Sequence, residues 1–293
     1  MNFKEELSKY QEIINKELPK YLKDEDVPEK VLNESVQYSV MAGGKRIRPI
    51  LVLATYQLFK DDYEICLPYA IAIEMIHNFS LIHDDLPGID NDDFRHGKLT
   101  NHKKYNEATA ILAGDNLLNY GYNIISHDLL NGNMLDNKIR ILSLFSDAID
   151  RMIAGEYIDT EYEGKQISHD NLEYIHQNKT GALIKLSVQM GALLANETTT
   201  NFDKLTSYAE KIGLSFQIKD DILSVEGDSA ILGKPVGNDQ ERGKCTYVTK
   251  YGLEEAKKML NDLTNEAVSI IDEFGPKGEF LKELALYIAN RHK

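Results

Sequence analysis

The chain has no tryptophan, and its 293 residues include only two cysteines, Cys66 and Cys245. Two thiols cannot staple a disulfide scaffold, and their spacing is not that of a metal site, so a reducing, cytoplasmic compartment is expected. Positive charge is also in deficit: 33 Lys and Arg stand against 47 Asp and Glu, a net charge of −14. That balance argues against a broad electrostatic footprint for nucleic acid or anionic lipid, so an anionic ligand has to be held by a local cluster of cations. Long apolar runs are missing as well. The stretch ILVLATYQLF at 50–59 falls well short of the ~20 residues that cross a bilayer, and no stable membrane insertion is expected. The N-terminal MNFKEELSKYQEIINKEL is charged and helix-like, without the apolar centre of a secretory signal. What remains, 42% hydrophobic and 27% charged, is the composition of a folded globular protein.

Proline is scarce in an informative place. The seven prolines stand at 19, 28, 49, 68, 87, 235 and 276, which leaves residues 88–234 without one. Because proline breaks helix interiors, that gap permits long uninterrupted helices. Apolar residues within it recur at helical spacing: Ile111, Leu117, Leu118, Ile124 and Ile125, then Leu183, Leu186, Met190, Leu193 and Leu194. The pattern predicts helices over about 3–22, 29–42, 48–60, 67–85, 106–130, 137–154, 170–196, 202–224, 253–273 and 278–291, and no strand. No Pro/Gly/Ser-rich linker divides them, so an all-α bundle in one domain over 1–293 is expected. The longest loops, 86–105 and 225–250, each follow an acidic cluster.

The first cluster is HDDLPGIDNDDFRHGK at 83–98, with aspartates at 84, 85, 90, 92 and 93. Leu86-Pro87-Gly88 ends the preceding helix just after Asp84 and Asp85. An acidic run is often no more than a solvated loop. An EF-hand beginning at Asp90 would put Phe94 and Arg95 where an oxygen ligand and a glycine are needed, so that reading fails. An apolar helix leading straight into paired carboxylates is different, because its C-terminus is the negative end of the macrodipole and favours a bound cation. The second cluster, FQIKDDILSVEGD at 216–228, places Gln217, Asp220, Asp221 and Ser224 at i, i+3, i+4 and i+7, on one helix face. Two such helix ends facing each other would repel when empty, but could hold hard divalent ions completed by a diphosphate.

The cations are local. MAGGKRIRP at 41–49 brings Lys45, Arg46 and Arg48 to a helix start after a glycine pair, a place suited to phosphate oxygens, although GGKR alone could be a surface turn. His77 lies seven residues before Asp84 on the same face, about 10 Å along the helix; a lone histidine there is more often a satisfied core residue. Further on stand Lys179 and Thr180 in HQNKTGALIKL, Lys234 in LGKP and Lys244 in GKCTY.

In order and spacing, GGKRIRP, DDLPGID, the KTG run and FQIKDDILS resemble the trans-isoprenyl diphosphate synthases over nearly the whole chain. The DDLPxxD form, followed by NDD, RHGK and TNH, is similar to the bacterial farnesyl diphosphate synthase branch of that family. The resemblance implies the isoprenoid synthase bundle around a central cavity, a homodimer, and three Mg²⁺ per site. By it, Asp84 and Asp90 on one side and Asp220 on the other hold metal, with Asp85 and Asp221 supporting. Arg95, Lys179, Thr180, Gln217 and Lys234 hold the allylic diphosphate or its metal cage, with Lys179, Thr180 and Gln217 the catalytic set, and Lys244 closes over it. Lys45, Arg48 and His77 bind isopentenyl diphosphate. Phe79, with Ser80 beside it, sets chain length, the aromatic acting as a floor that stops growth at fifteen carbons.

Two positions depart from the family pattern. Ser224 stands where the second motif has its last aspartate, which implies weaker metal affinity. His96 stands where a second arginine is usual, and a neutral imidazole lacks the bidentate charge of guanidinium, so binding of isopentenyl diphosphate should depend on pH near its ordinary pKa of ~6.5. Three other readings fit parts of the sequence: a short-chain synthase with geranyl or geranylgeranyl product, a non-catalytic subunit of a heteromeric prenyltransferase, and a class I terpene cyclase. Retention of nearly every motif residue weighs against the second, and GGKRIRP with His77 against the third.

Overall fold

The computed structural model describes residues 2–23, 26–226 and 244–291. Helices dominate them: α1 (Phe3–Glu17), α2 (Lys30–Val40), α3 (Ile47–Tyr56), α4 (Leu67–Asp84), α5 (Asn101–Lys104), α6 (Glu107–Leu129), α7 (Leu135–Glu161), α8 (His169–Ile175), α9 (Gly181–Leu194), α10 (Thr199–Glu226), α11 (Tyr247–Tyr251), α12 (Leu253–Asp272) and α13 (Glu279–Asn290). Their starts follow local chemistry. Pro68 occupies the first turn of α4, where its missing N–H costs nothing, and the side chains of Asn106, Ser168 and Thr246 accept from backbone N–H groups at the starts of α6, α8 and α11.

The helices sort by how much of their circumference is apolar. On α4, Ile71, Ile73, Met75 and Ile76 are fully buried, and on α9 the run from Ala182 to Ala195 is almost wholly so. Helices apolar all round belong in the interior. Accordingly α4 packs between α3 and α6, and α9 is surrounded by α3, α7 and α10. Amphipathic α12 and α13 cover α10 from outside.

Four details differ from the sequence expectation. The predicted helix over 170–196 is broken by one π-helical turn at His176–Thr180, and α7 runs on to Glu161 rather than ending near 154. The loop at 86–105 contains a small antiparallel ladder, Phe94–Arg95 on Lys98–Leu99, turned by His96 and Gly97 at φ 52° and 75°. Two residues per strand are too few to produce a legible alternation; the signal was the His-Gly pair able to adopt positive φ. Finally, the segment Glu64–Asp84 is long and apolar enough to cross a bilayer by length and composition, contrary to the short-run expectation; 67% of it is buried inside this fold, as a central helix should be.

The polar exceptions inside α4 are tied down. Arg46, at φ 55° just before α3, is 4% exposed and donates to Glu74 of α4 (2.5 Å), Asn15 of α1 and the carbonyl of Val40 at the end of α2. One guanidinium therefore locks four helices, and Asn78 supports the same carboxylate from the next turn. The expectation that Arg46 grips phosphate is corrected here, since its donors are spent on the fold. Removing one partner of a buried pair leaves an uncompensated charge, so Glu74→Ala should destabilise the protein by about 3–5 kcal/mol, read as a lowered urea midpoint with unchanged slope.

Candidate active site

Chemistry-bearing residues collect at one end of the bundle, where α4, α7 and α10 finish and α9 begins. Asp84 is the last residue of α4, and Asp90 is drawn back to it by a bond from its backbone N–H to the Asp84 carbonyl (2.8 Å). Burial, and then the neighbouring charge of Glu156, push the Asp84 carboxyl up to about 7 against the opposing pull of Lys179 and Arg95. Asp85 turns the other way. It is buried and takes Arg95 as a bidentate partner, with bonds from Nε (2.9 Å) and Nη2 (2.6 Å). That fork orients Arg95, and the hairpin that carries it lays the His96 ring against Gly44 of the Lys45 turn.

On α10 the four motif residues divide their tasks. Thr180 donates to Gln217 (3.0 Å), and Gln217 donates to Asp221 (3.1 Å). The other oxygen of Asp221, a buried residue, accepts from the backbone N–H of Tyr247 at the start of α11 (2.8 Å). Ser224 returns its hydroxyl to the Asp221 carbonyl (2.8 Å) and offers the cavity no charge. Asp220 is left as the more open carboxylate, and it meets Arg291 at 2.8 Å. Arg291 is itself buried, stacked 4.0 Å from the Phe216 ring centre and donating to the Phe216 carbonyl. Arg291, just after α13, thus reaches the second acidic cluster.

Lysines join the two halves. Lys244 bonds Asp90 (3.1 Å) and lies 3.7 Å from Asp159 of α7; Lys179 bonds Asp159 (2.6 Å) and Glu156 (2.8 Å) of the same helix. Burial opposes the charge on Lys179, but Asp159, Glu156 and Asp84 outweigh it and hold its pKa above the usual value. A continuous polar path therefore runs from Asp90 through Lys244, Asp159 and Lys179 to Thr180, Gln217 and Asp221, beside Asp220. Sequence reading missed Glu156 and Asp159, because a Glu and an Asp three apart on a long helix look like any solvated helix face. Lys234 lies outside the described residues.

A second basic group sits deeper. Arg48 on α3 approaches His77 on α4 at 3.4 Å (Nη1 to Nε2). Burial, then the adjacent Arg48 charge, keeps the His77 pKa well below its usual value, and Arg48 feels Asp220 across the site. Arg48 Nε and His77 Nδ1 are buried without a hydrogen-bond partner among the described residues, as expected of groups that wait for an anion. Lys45 is at the same helix start, its carbonyl held by Gln11. Phe79 is buried, its ring edge-on to that of His83, while Ser80 bonds the His77 carbonyl.

The donor set suits a hard divalent cation: Asp84, Asp90 and Asp220 offer oxygen only. Among the described residues no three acidic, imidazole or thiol groups already converge into a metal cage.

The polyprenyl synthetase family model matches residues 29–274, and the chain belongs to that family. Among curated proteins, it is 44% identical over 262 residues to the farnesyl diphosphate synthase of Micrococcus luteus, covering 89% of this chain and 90% of that one. It is 40% identical to the Escherichia coli K12 farnesyl diphosphate synthase over 299 residues, with full coverage of both. Among solved structures, a putative farnesyl-diphosphate synthase from Marinomonas superposes with a TM-score of 0.85 at 38% identity, covering 99% of this chain and 100% of that one.

His176, in the π turn, stacks on Tyr247 (centroids 5.0 Å apart, 25° between planes), so the segment after Lys244 is fastened to the turn that carries Lys179. Burial, opposed by Asp159 and aided by the Lys179 charge, lowers its pKa to about 3. The folded state therefore holds it neutral while the unfolded chain takes a proton, so stability present above about pH 6.5 is lost progressively toward about pH 3. The melting temperature should fall on acidification below pH 6.5, and less steeply in His176→Gln; equal slopes would refute this.

Proposed function

We infer that the chain is a prenyltransferase that condenses isopentenyl diphosphate with dimethylallyl and then geranyl diphosphate to give farnesyl diphosphate. The observation that carries this reading is the polar path joining both aspartate clusters at one end of an apolar bundle, with Arg48 and His77 beside it, each keeping one buried nitrogen without a partner among the described residues.

The residues divide the chemistry. Mg²⁺, three ions per site held by Asp84, Asp90 and Asp220, would neutralise the leaving diphosphate when bound. Lys179, Lys244, Lys234 and Arg95 grip the allylic diphosphate; Thr180 and Gln217 line its exit and tie it to Asp221. Asp85 orients Arg95 and does not need to touch metal. The allylic C–O bond breaks with its electron pair going to diphosphate, and the resulting cation is stabilised in a water-poor cavity with preorganised charges. Arg48, Lys45 and neutral His77, with His96 at the hairpin tip, hold isopentenyl diphosphate so that its double bond attacks the cation. The proton lost afterwards goes to the released diphosphate. Holding both substrates in register supplies a further ~7–11 kcal/mol of the barrier.

Phe79 supports a fifteen-carbon product because it fills the α4 face below the aspartates. A 42% identical relative from Cyanophora paradoxa is a geranylgeranyl diphosphate synthase, so product length is the finer point to test. The chain is read as one cytoplasmic domain acting as a homodimer. Ile111 and Leu112 on α6 and Ile139, Ile153 and Tyr157 on α7 are exposed apolar residues that a second copy would cover. Ile153→Glu should shift the sedimenting species from about two chains to one.

The decisive experiment incubates the purified protein alone with isopentenyl and dimethylallyl diphosphates, with and without Mg²⁺. Farnesyl diphosphate should form only with the metal, and Phe79→Ala should lengthen the products. No condensation by the isolated chain would favour a subunit of a heteromeric enzyme, for which the missing charge at Ser224 is the specific hint.

A further inference from the structure

Three residues of α7, Gly155, Glu156 and Asp159, meet at Lys179. The π turn that carries Lys179 rests directly on α7 at Gly155. A Cβ added there would sit 2.4 Å from the Lys179 nitrogen, 2.9 Å from its Cα and 3.0 Å from the carbonyl carbon of Asn178. These are backbone atoms and cannot swing aside. Gly155 is not among the positive-φ glycines, so conformation does not demand it. Close approach does, in the middle of a helix where glycine is otherwise unfavourable.

Side chains complete the contact. The next residue, Glu156, and Asp159, one turn on, take the Lys179 ammonium at 2.8 and 2.6 Å. Asp159 is shared with Lys244 at 3.7 Å, so its charge is divided, and Glu156 gives Lys179 an anchor on a second side. The main chain and the charged head of one lysine are thus both located by a single stretch of α7, while its neighbour Thr180 is bonded to α10 through Gln217.

We propose that Gly155 is a positioning residue: by letting the π turn seat against α7, it allows Glu156 and Asp159 to aim the Lys179 ammonium, and so sets affinity for the allylic diphosphate. This rests on the reading of Lys179 as a ligand of that diphosphate. Packing alone would cost stability without regard to substrate, whereas positioning costs one substrate and leaves the other.

The test is a double-mutant cycle on KM for geranyl diphosphate and for isopentenyl diphosphate, measured at saturating Mg²⁺. Gly155→Ala should raise the allylic KM about tenfold and leave the isopentenyl KM within about twofold, and in a Lys179→Gln background it should add less than about twofold. A parallel rise in both KM values, or a full Gly155→Ala effect without Lys179, would overturn the proposal. If Gly155→Ala does not fold, Lys179→Arg keeps the charge but overfills the socket. An allylic KM raised about fivefold or more then supports positioning, and a wild-type value overturns it. If Lys179→Gln alone leaves the allylic KM unchanged, the reading of Lys179 itself falls and takes the inference with it. A raised KM in Lys179→Gln beside an unaffected Gly155→Ala sinks the inference only.

Discussion

Carboxylates crowded at the ends of apolar helices repel one another, and they do so at the negative ends of helix dipoles, in surroundings too dry to screen them. Such a cluster needs cations to offset that repulsion. Here the chain supplies its own. Lys244 sits on Asp90, Arg95 on Asp85, Arg291 on Asp220, and Lys179 between Glu156 and Asp159 with its charge felt at Asp84. The other features of this end of the molecule depend on that exchange of cations.

The cations that balance these carboxylates are, on the proposed function, the ones that would receive diphosphate. A lysine or arginine resting on a carboxylate is already desolvated and oriented, so little reorganisation is left when an anion replaces its partner. Structural and reactive roles are separated by residue within each motif. In the first, Asp85 serves Arg95 while Asp90 takes Lys244 and Asp84 feels Lys179. In the second, Asp221 caps α11 through Tyr247 while Asp220 stays open. Ser224 costs the second motif a carboxylate, and its hydroxyl closes on the helix backbone instead of taking that charge's place.

Buried polarity elsewhere serves the scaffold. Arg46 looks in sequence like a partner of Lys45 and Arg48, yet it is the junction of α1, α2, α3 and α4 through Asn15, Val40 and Glu74. Arg48, two residues further on, reaches His77 with Nη1 and keeps its Nε without a partner among the described residues. Two arginines two residues apart at one helix start point in different directions, so one locks the bundle while the other turns to His77.

The sequence by itself determined that the chain is helical, because a proline-free stretch with apolar residues every three to four positions admits little else, and it determined the two acidic clusters and their basic followers, because helix spacing puts them on common faces. It also put Gln217 on one face with Asp220 and Asp221, whereas His77 and Phe79 were marked by the family resemblance and not by their spacing. Only the tertiary structure decided which cation each carboxylate holds, that Arg46 is structural, that Arg291 returns to Asp220, and that Gly155, Glu156 and Asp159 belong to the site. Those facts depend on contacts between residues up to 154 positions apart, as with Lys244 and Asp90, and local periodicity carries no information about which helix ends will meet.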